Sequence, residues 1–422
     1  MKQLYFMLIF FSIHSLYSQE TKNVLFLGNS YTAVNNLPSL IQQVANSTGD
    51  VFNYDSNTPG GYRLKNHTTN TTSLNKIQAG NWDYVVLQDQ SQFPSFPDAQ
   101  VAVEVYPYAT QLNSLIKQYN PCATTAFYMT WGRENGDAVN CGGWPPVCTY
   151  EGMDDLLRQR YQIMANDNNG ITSPVGAVWR YLRTNHPTLN LYSGDGSHPS
   201  LIGSYAGAVS FYCSLFRKDP TQITFNSTIN TANATIIKNA VKQVVFNNFL
   251  EWNIGKYDPE ASFESNNINQ DYTFTNTSEN SLNYNWDFGD GTTSTDENPI
   301  HSYTSNGNYT ITLTTANCEK TSITTQNIII SALNIEDNEA VDNSFYLVKN
   351  PVSDYLIINS NLFDYNKYQI KITSVIGQQI FDIKSSTNIS QEINISHLST
   401  GLYILNIYSQ EKNIYKTKFL KY

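Results

Sequence analysis

Between residues 21 and 257, apolar runs of strand length alternate with stretches of helical period. "NVLFLG", from Asn23, reads as a strand, and "LPSLIQQVANS" as the helix after it. "WDYVVLQ" and "TTAFYMTWG" are further apolar strands, with helical periodicity in "VEVYPYATQLNSLIKQY" between them. "MDDLLRQRYQIMAND" places Leu156, Leu157, Tyr161 and Met164 on one side of a helix. This alternation predicts an α/β domain, a three-layer parallel sheet with helices on both faces. Ligands of such sheets sit at the carboxyl ends of the strands, where Ser30, residues 88–91 and residues 131–134 fall.

The pattern changes at "YDPEASFESNNINQ". Residues 271–330 show short strands and turn residues with no helical period, and a second polar linker, "SALNIEDNEAVDNS", follows them. Alternating strands return in "YLIINS", "YQIKITSV", "GLYILNIYS" and "IYKTKFLKY", so both later units are expected to be small all-β sandwiches. The opening "MKQLYFMLIFFSIHSLYSQE" has one Lys, a short apolar core and then small and polar residues, the order of a secretory signal. The expected division is a signal peptide over 1–18, an α/β domain over 19–257, and β-domains over 262–331 and 344–422, with cleavage leaving Gln19 first.

Charge narrows the choice of partner. The net charge is −10, with 25 basic residues and no basic stripe, which excludes a nucleic-acid binder. Only 14% of residues are charged, while Asn, Thr, Ser and Tyr abound, as suits an exported strand-rich protein. Five cysteines in such a chain permit a disulfide, and Cys141 with Cys148 in "CGGWPPVC" is the favoured pair. No histidine cluster gives zinc spacing and there is no phosphate loop, so neither metal nor cofactor is expected.

A serine hydroxyl is a poor nucleophile unless a base, usually a histidine held by an acid, takes its proton. "YSGDGSHPS" places Asp195 three residues before His198 in a Gly-rich loop, so that both can project from one turn. Pro199 suits the first turn of the helix "SLIGSYAGAVSFYCSLF".

Together "GNSYT" after the first strand and "DGSHPS" before the last helix resemble the SGNH (GDSL-like) hydrolases, over nearly the whole first domain. The resemblance implies Ser30 as nucleophile, His198 as general base, Asp195 as its orienting acid and the Ser30 N–H as one oxyanion donor. It further implies a glycine donor, for which "NTPGGYRLKNH" supplies Gly61 with Gly60 making the turn. The family's asparagine donor is absent; after "WDYVVL" stands "QDQS", leaving Gln90 or Gln88 as the amide. The family's Asp before the nucleophile is replaced by Asn29. Trp131, Arg133 and Glu134, in a strand-end loop, and His67, past the glycines, are candidate substrate contacts, with a surface role the bland reading of His67. Trp144 offers a stacking face, and Asp154 and Asp155 read as a solvated first turn of a helix.

"NYNWDFGDGTTSTDENPIHSYTSNGNYTITLTT" resembles a PKD domain; Trp286 and Phe288 would enter its core, with Asp287 and Asp290 as turn residues rather than calcium ligands. "FYLVKNPVSDYLII", "ISHLSTGLYILNIY" and the basic ending "KTKFLKY" resemble a type IX secretion C-terminal sorting domain of the Bacteroidetes kind. These resemblances imply a secreted or surface protein, handled by outer-membrane secretion machinery. They imply a serine esterase working through an acyl-enzyme on an acylated carbohydrate or other ester. The alternative is a non-catalytic carbohydrate-binding or adhesive protein on a degenerate hydrolase scaffold.

Overall fold

The computed structural model describes residues 19–268, 270–331, 345–360, 368–375, 377–386, 390–409 and 412–422. The expected signal peptide with its cleavage point, and most of the second linker, lie outside the described residues. The chain forms two compact units, one running to Ser302 and including Tyr309–Ile328, the other made of Tyr303–Asn308 and Ile329–Tyr422.

The first unit opens with β1 (Thr21–Leu27), the one-turn helix α1 (Ser30–Ala33), α2 (Leu37–Asn46) and β2 (Val51–Asn57). Next come α3 (Leu64–His67), α4 (Thr71–Gln78), β3 (Tyr84–Leu87), α5 (Asp98–Glu104), α6 (Tyr106–Tyr119) and β4 (Thr124–Tyr128). α7 (Tyr150–Asp167), β5 (Ile171–Ser173), α8 (Val175–Asn185), α9 (Leu201–Phe216) and α10 (Thr231–Val244) complete the layers. The five strands are parallel in the order β2-β1-β3-β4-β5. α2, α8, α9 and α10 pack together as one layer, and α4, α6 and α7 as the other. The three-layer α/β expectation is therefore met. The chain reverses its direction of travel across the sheet between β1 and β3, the switch point at whose carboxyl-end side such sheets bind ligands. Ser30 stands there.

Details differ from the sequence reading for local reasons. The helix expected through "VEVYPYATQLNSLIKQY" breaks at Val105 (φ −126°), because Pro107 in the first turn of α6 has no N–H to continue α5. β2 escaped notice because its polar sequence VFNYDSN lies at the sheet edge, and β5 because it is only three residues long. α9 is buried from Gly203 to Phe216, so it has no polar face and no clear period. Ser200 caps it, accepting from the Gly203 N–H at 3.1 Å, and Pro199 lies just outside rather than in the first turn. Asp154 corrects another expectation: it is buried, accepting from the Gly132 N–H at 3.2 Å and from Arg180 Nε at 2.8 Å, while Asp155 stays exposed.

Cys141 and Cys148 are bonded, as expected. A second disulfide, Cys122–Cys318, joins positions 196 residues apart, and Cys213 is free and buried. Asp258 takes bonds from Arg217 and, at 2.6 Å, from Lys320, near that disulfide. In the same unit, antiparallel strands within residues 263–302 and 309–328 bury Trp286 and Phe288 against Phe274. Gly289 and Gly291 are left-handed (φ 78° and 91°), so "GDG" makes the expected tight turn. Asp287 accepts from the Gly289 N–H, and Asp290 from Thr292 and His301, which leaves both carboxylates engaged in the turn. The second unit contains a three-stranded and a four-stranded sheet, closed around Leu356, Ile372, Leu405, Ile407 and Phe419.

Candidate active site

The buried run Val24–Leu27 delivers a closely packed turn that opens on glycine. A Cβ on Gly28 would stand 2.6 Å from both Gln88 Oε1 and Thr32 Oγ1. Asn29 caps α1, its Oδ1 accepting from the Tyr31 N–H at 3.0 Å. Gln88 Oε1 accepts from the Asn29 N–H at 2.9 Å and from Thr32 Oγ1 at 3.0 Å, which ties the turn to the end of β3. Ser30 opens the helical turn, so its own N–H has no intrahelical acceptor.

His198 comes to Ser30 from a loop 168 residues away, with Nε2 at 2.8 Å from Ser30 Oγ. Its Nδ1 lies 2.5 Å from Asp195 Oδ2. Asp195 Oδ1 accepts from Ser193 Oγ, the Ser197 N–H and the His198 N–H at 2.8, 3.0 and 2.9 Å, so one carboxylate both shapes the turn and orients the ring. Partial desolvation pushes the Asp195 carboxyl upward, but the bonds from His198, Ser197 and Ser193 outweigh it and hold the group well below the usual carboxylate range. The structure brings the three residues read from the sequence into one hydrogen-bonded chain, Ser30–His198–Asp195.

A stack of aromatic rings backs the loop. Tyr31 lies against Trp131 at 5.0 Å and 7°, and Trp131 against Trp179 at 3.7 Å and 11°. Tyr31 meets the His198 ring edge-on at 5.2 Å, its hydroxyl 2.5 Å from Ser197 Oγ, and Trp131 Nε1 donates to the Ser197 C=O at 3.1 Å. Trp131, expected to touch substrate, is instead 1% exposed and acts from behind the loop. Glu134 and Arg133 are half-buried beside it. The Glu134 N–H donates to the Gly196 C=O at 2.9 Å, and Arg133 pairs with buried Asp137 at 3.3 Å. Trp144 donates through Nε1 to the Ser95 C=O at 2.9 Å.

His67 is fully buried, against the surface reading. Its Nε2 donates to the Gly28 C=O at 2.9 Å and its Nδ1 pairs with Ser73 Oγ at 2.7 Å, so it props the peptide two residues before Ser30. Burial lowers it to about 4, against the pull of the Gly28 carbonyl. The unfolded histidine takes up its proton near 6.5 and the folded one only near 4, so folding loses up to about 3 kcal/mol from this group as pH falls through that window. Burial raises Asp89 and Asp154 to about 6, and they act in the opposite sense as pH falls from 6 to 3.8. The expected result is therefore a difference. A His67→Phe variant, weaker at neutral pH, keeps more of its own stability than the parent between pH 6.5 and 4, as urea unfolding at each pH will show.

Gly60 and Gly61 are the two central residues of a turn closed by the Tyr62 N–H to the Pro59 C=O at 3.2 Å, with Gly61 left-handed (φ 69°) at the third position. Among the described residues neither glycine N–H has a partner. The two glutamines are placed differently from expectation. Gln88 Nε2 donates to the Asp89 C=O, and Gln90 Nε2 to Gln92 Oε1 at 3.1 Å, so both amide groups are engaged away from Ser30. Tyr31, Asn29 and Asp89 were not singled out as site residues by sequence reading; the first two adjoin Ser30 in the same motif.

Comparison with known proteins agrees with the two later domains. Residues 256–331 match the PKD domain family, and residues 350–421 match the secretion system C-terminal sorting domain, which marks the chain for the cell surface or the extracellular space. No described helix is long and apolar enough to cross a membrane. No curated protein matches the chain. Solved structures resembling it include a DUF4886 family protein from Bacteroides uniformis, at 17% identity and TM-score 0.46 over 55% of this chain and 95% of that one. A protein described as an SGNH hydrolase, from Slackia heliotrinireducens, aligns at 23% identity and TM-score 0.38 over 46% and 97% of the two chains. A variant of an acetylxylan esterase from Geobacillus stearothermophilus aligns at 16% and 0.32 over 50% and 97%.

Proposed function

We propose that the chain is an exported serine esterase that removes O-acetyl or similar short acyl groups from a polysaccharide through an acyl-enzyme. The observation that carries this reading is the relay itself, Ser30 Oγ to His198 Nε2 at 2.8 Å and His198 Nδ1 to Asp195 at 2.5 Å, at the switch point of a parallel sheet. Ser30 Oγ adds to the ester carbonyl as His198 Nε2 takes its proton, and Asp195 stabilises the imidazolium. The proton then passes to the departing sugar oxygen, the C–O bond breaks, and the acyl group stays on Ser30. Water, deprotonated by His198 in turn, releases the carboxylic acid and restores the hydroxyl.

Three features support this substrate class. About a third of the His198 side chain and half of that of Asp195 remain exposed, an opening that suits an acyl group carried on a bulky polymer. The sequence has no long apolar lid for a fatty chain, and export puts the enzyme where glycans are met. In the test, the mature protein is given a chemically acetylated polysaccharide, p-nitrophenyl acetate and p-nitrophenyl dodecanoate. Acetate release from the glycan is expected, with kcat/KM at least about 100-fold lower for the dodecanoate than for the acetate. One observation favours a second reading, a carbohydrate-binding protein without catalysis: both glutamine amides are engaged elsewhere, leaving the third oxyanion donor unfilled. Failure of Ser30 to react with a fluorophosphonate, together with no acetate release, would establish that reading instead.

A further inference from the structure

Two side chains take no part in the Ser30–His198–Asp195 contacts, yet one bonds to the diglycine turn at residues 59–62 and the other to Leu64 just after it. Asn29 spends one end of its amide on the cap of α1 and sends the other outward, Nδ2 donating to the Tyr62 C=O at 2.8 Å. Asp89, at the end of β3 and fully buried, accepts from the Leu64 N–H at 3.1 Å and from the Gln90 N–H at 2.7 Å. The segment is thus fastened at Tyr62 from the end of β1 and at Leu64 from the end of β3. Packing does not do this work at the glycines themselves, since a Cβ added to Gly60 or Gly61 would meet nothing within 4 Å.

We propose that Asn29 and Asp89 are positioning residues that hold the diglycine turn where its free N–H groups meet the oxyanion formed at Ser30. The inference rests on the esterase reading. When Ser30 Oγ adds to the ester carbonyl, the π electron pair of C=O moves onto oxygen, and that charge needs donors already aimed at it. With both glutamine amides engaged, the Ser30 N–H and the Gly60 and Gly61 N–H groups are donors without a partner among the described residues, and Asn29 links the two segments through the Tyr62 C=O. Asn70 at the Tyr62 hydroxyl and Glu104 at Arg63 hold the flanking side chains, but Asn29 and Asp89 grip the backbone at Tyr62 and Leu64, and a displacement of about 1 Å costs on the order of 100-fold in rate. The same geometry gives a reason for the amide at position 29. A carboxylate there would still cap α1 through one oxygen but would set its other oxygen against the Tyr62 carbonyl.

The test uses the full mature chain and the variants Asn29→Asp, Asp89→Ala and Asp89→Asn. Active sites are counted by fluorophosphonate labelling carried to saturation, and kcat for p-nitrophenyl acetate is expressed per labelled serine. Asn29→Asp and Asp89→Ala are each expected to lower that kcat by about 10- to 100-fold, with KM within about threefold. Asp89→Asn keeps a carbonyl oxygen for both N–H groups and is expected to restore most of the loss. The combined Asn29→Asp/Asp89→Ala variant should lose less than the product of the two single effects, because both act on one turn. A purely structural role would lower the labelled fraction and leave kcat per labelled serine unchanged. That result for Asn29→Asp, or a loss confined to KM, overturns the proposal. If the parent takes no label at all, the esterase reading falls and takes the proposal with it.

Discussion

Ser30→Ala is expected to lower p-nitrophenyl acetate turnover by about 10⁴-fold or more while leaving the thermal midpoint nearly unchanged. The expectation follows from what the hydroxyl touches. The Oγ atom has one partner among the described residues, His198 Nε2, and the fold around it rests on other bonds: Asn29 caps α1, Gln88 ties down the turn, and His67 holds the Gly28 carbonyl. Removing Oγ therefore removes the proposed nucleophile and very little else. Turnover per mole and the midpoint are measured on the same preparation. A loss of only a few-fold with the midpoint intact would mean that Ser30 forms no acyl-enzyme. In that case the binding-protein reading makes its own forecast, that affinity for a glycan is the same in both proteins.

How much of this was legible in the sequence depends on how far each feature reaches along the chain. β1, β3 and β4 are buried on both faces and so appear as unbroken apolar runs, whereas β2 is an edge strand with a polar sequence and shows no such run. Asp195 and His198 were readable because three residues in a tight turn bring carboxylate and imidazole together without help from elsewhere. The direction of a glutamine amide is set over longer distances. Gln88 is turned by the Asn29 N–H, 59 residues away, and Gln90 is held in a chain through Gln92 to Asp137. Trp131 looked like a recognition residue because it follows a strand end, and only Tyr31 and Trp179, remote in sequence, show that it is a floor. The Cys122–Cys318 bond could not be read at all, since nothing local marks a partner 196 residues on.

Asp195→Asn is expected to cost about 10²- to 10³-fold in kcat with little change in KM, less than a buried acid of this kind costs when it is neutralised. Its carboxamide oxygen can still accept from Ser193, the Ser197 N–H and the His198 N–H, so the turn survives. What changes is the atom facing His198 Nδ1. An amide N–H there favours the neutral imidazole that carries its proton on Nε2, and that tautomer cannot take the proton of Ser30 Oγ. Asp195 is half exposed, so water can enter, let the ring return to the useful tautomer part of the time, and limit the loss. The sign with pH follows from the same bonds. The folded carboxyl is held below its ordinary value, so its contribution to stability is present above an unfolded value near 3.8 and disappears only as pH falls through the folded one. Loss of activity on mild acidification therefore belongs to other groups, and above pH 4 the Asp195→Asn substitution should lower the plateau of a pH–rate profile without adding an acid limb. A new limb above pH 4, or a loss carried wholly by KM, would show that Asp195 contacts substrate instead of orienting His198.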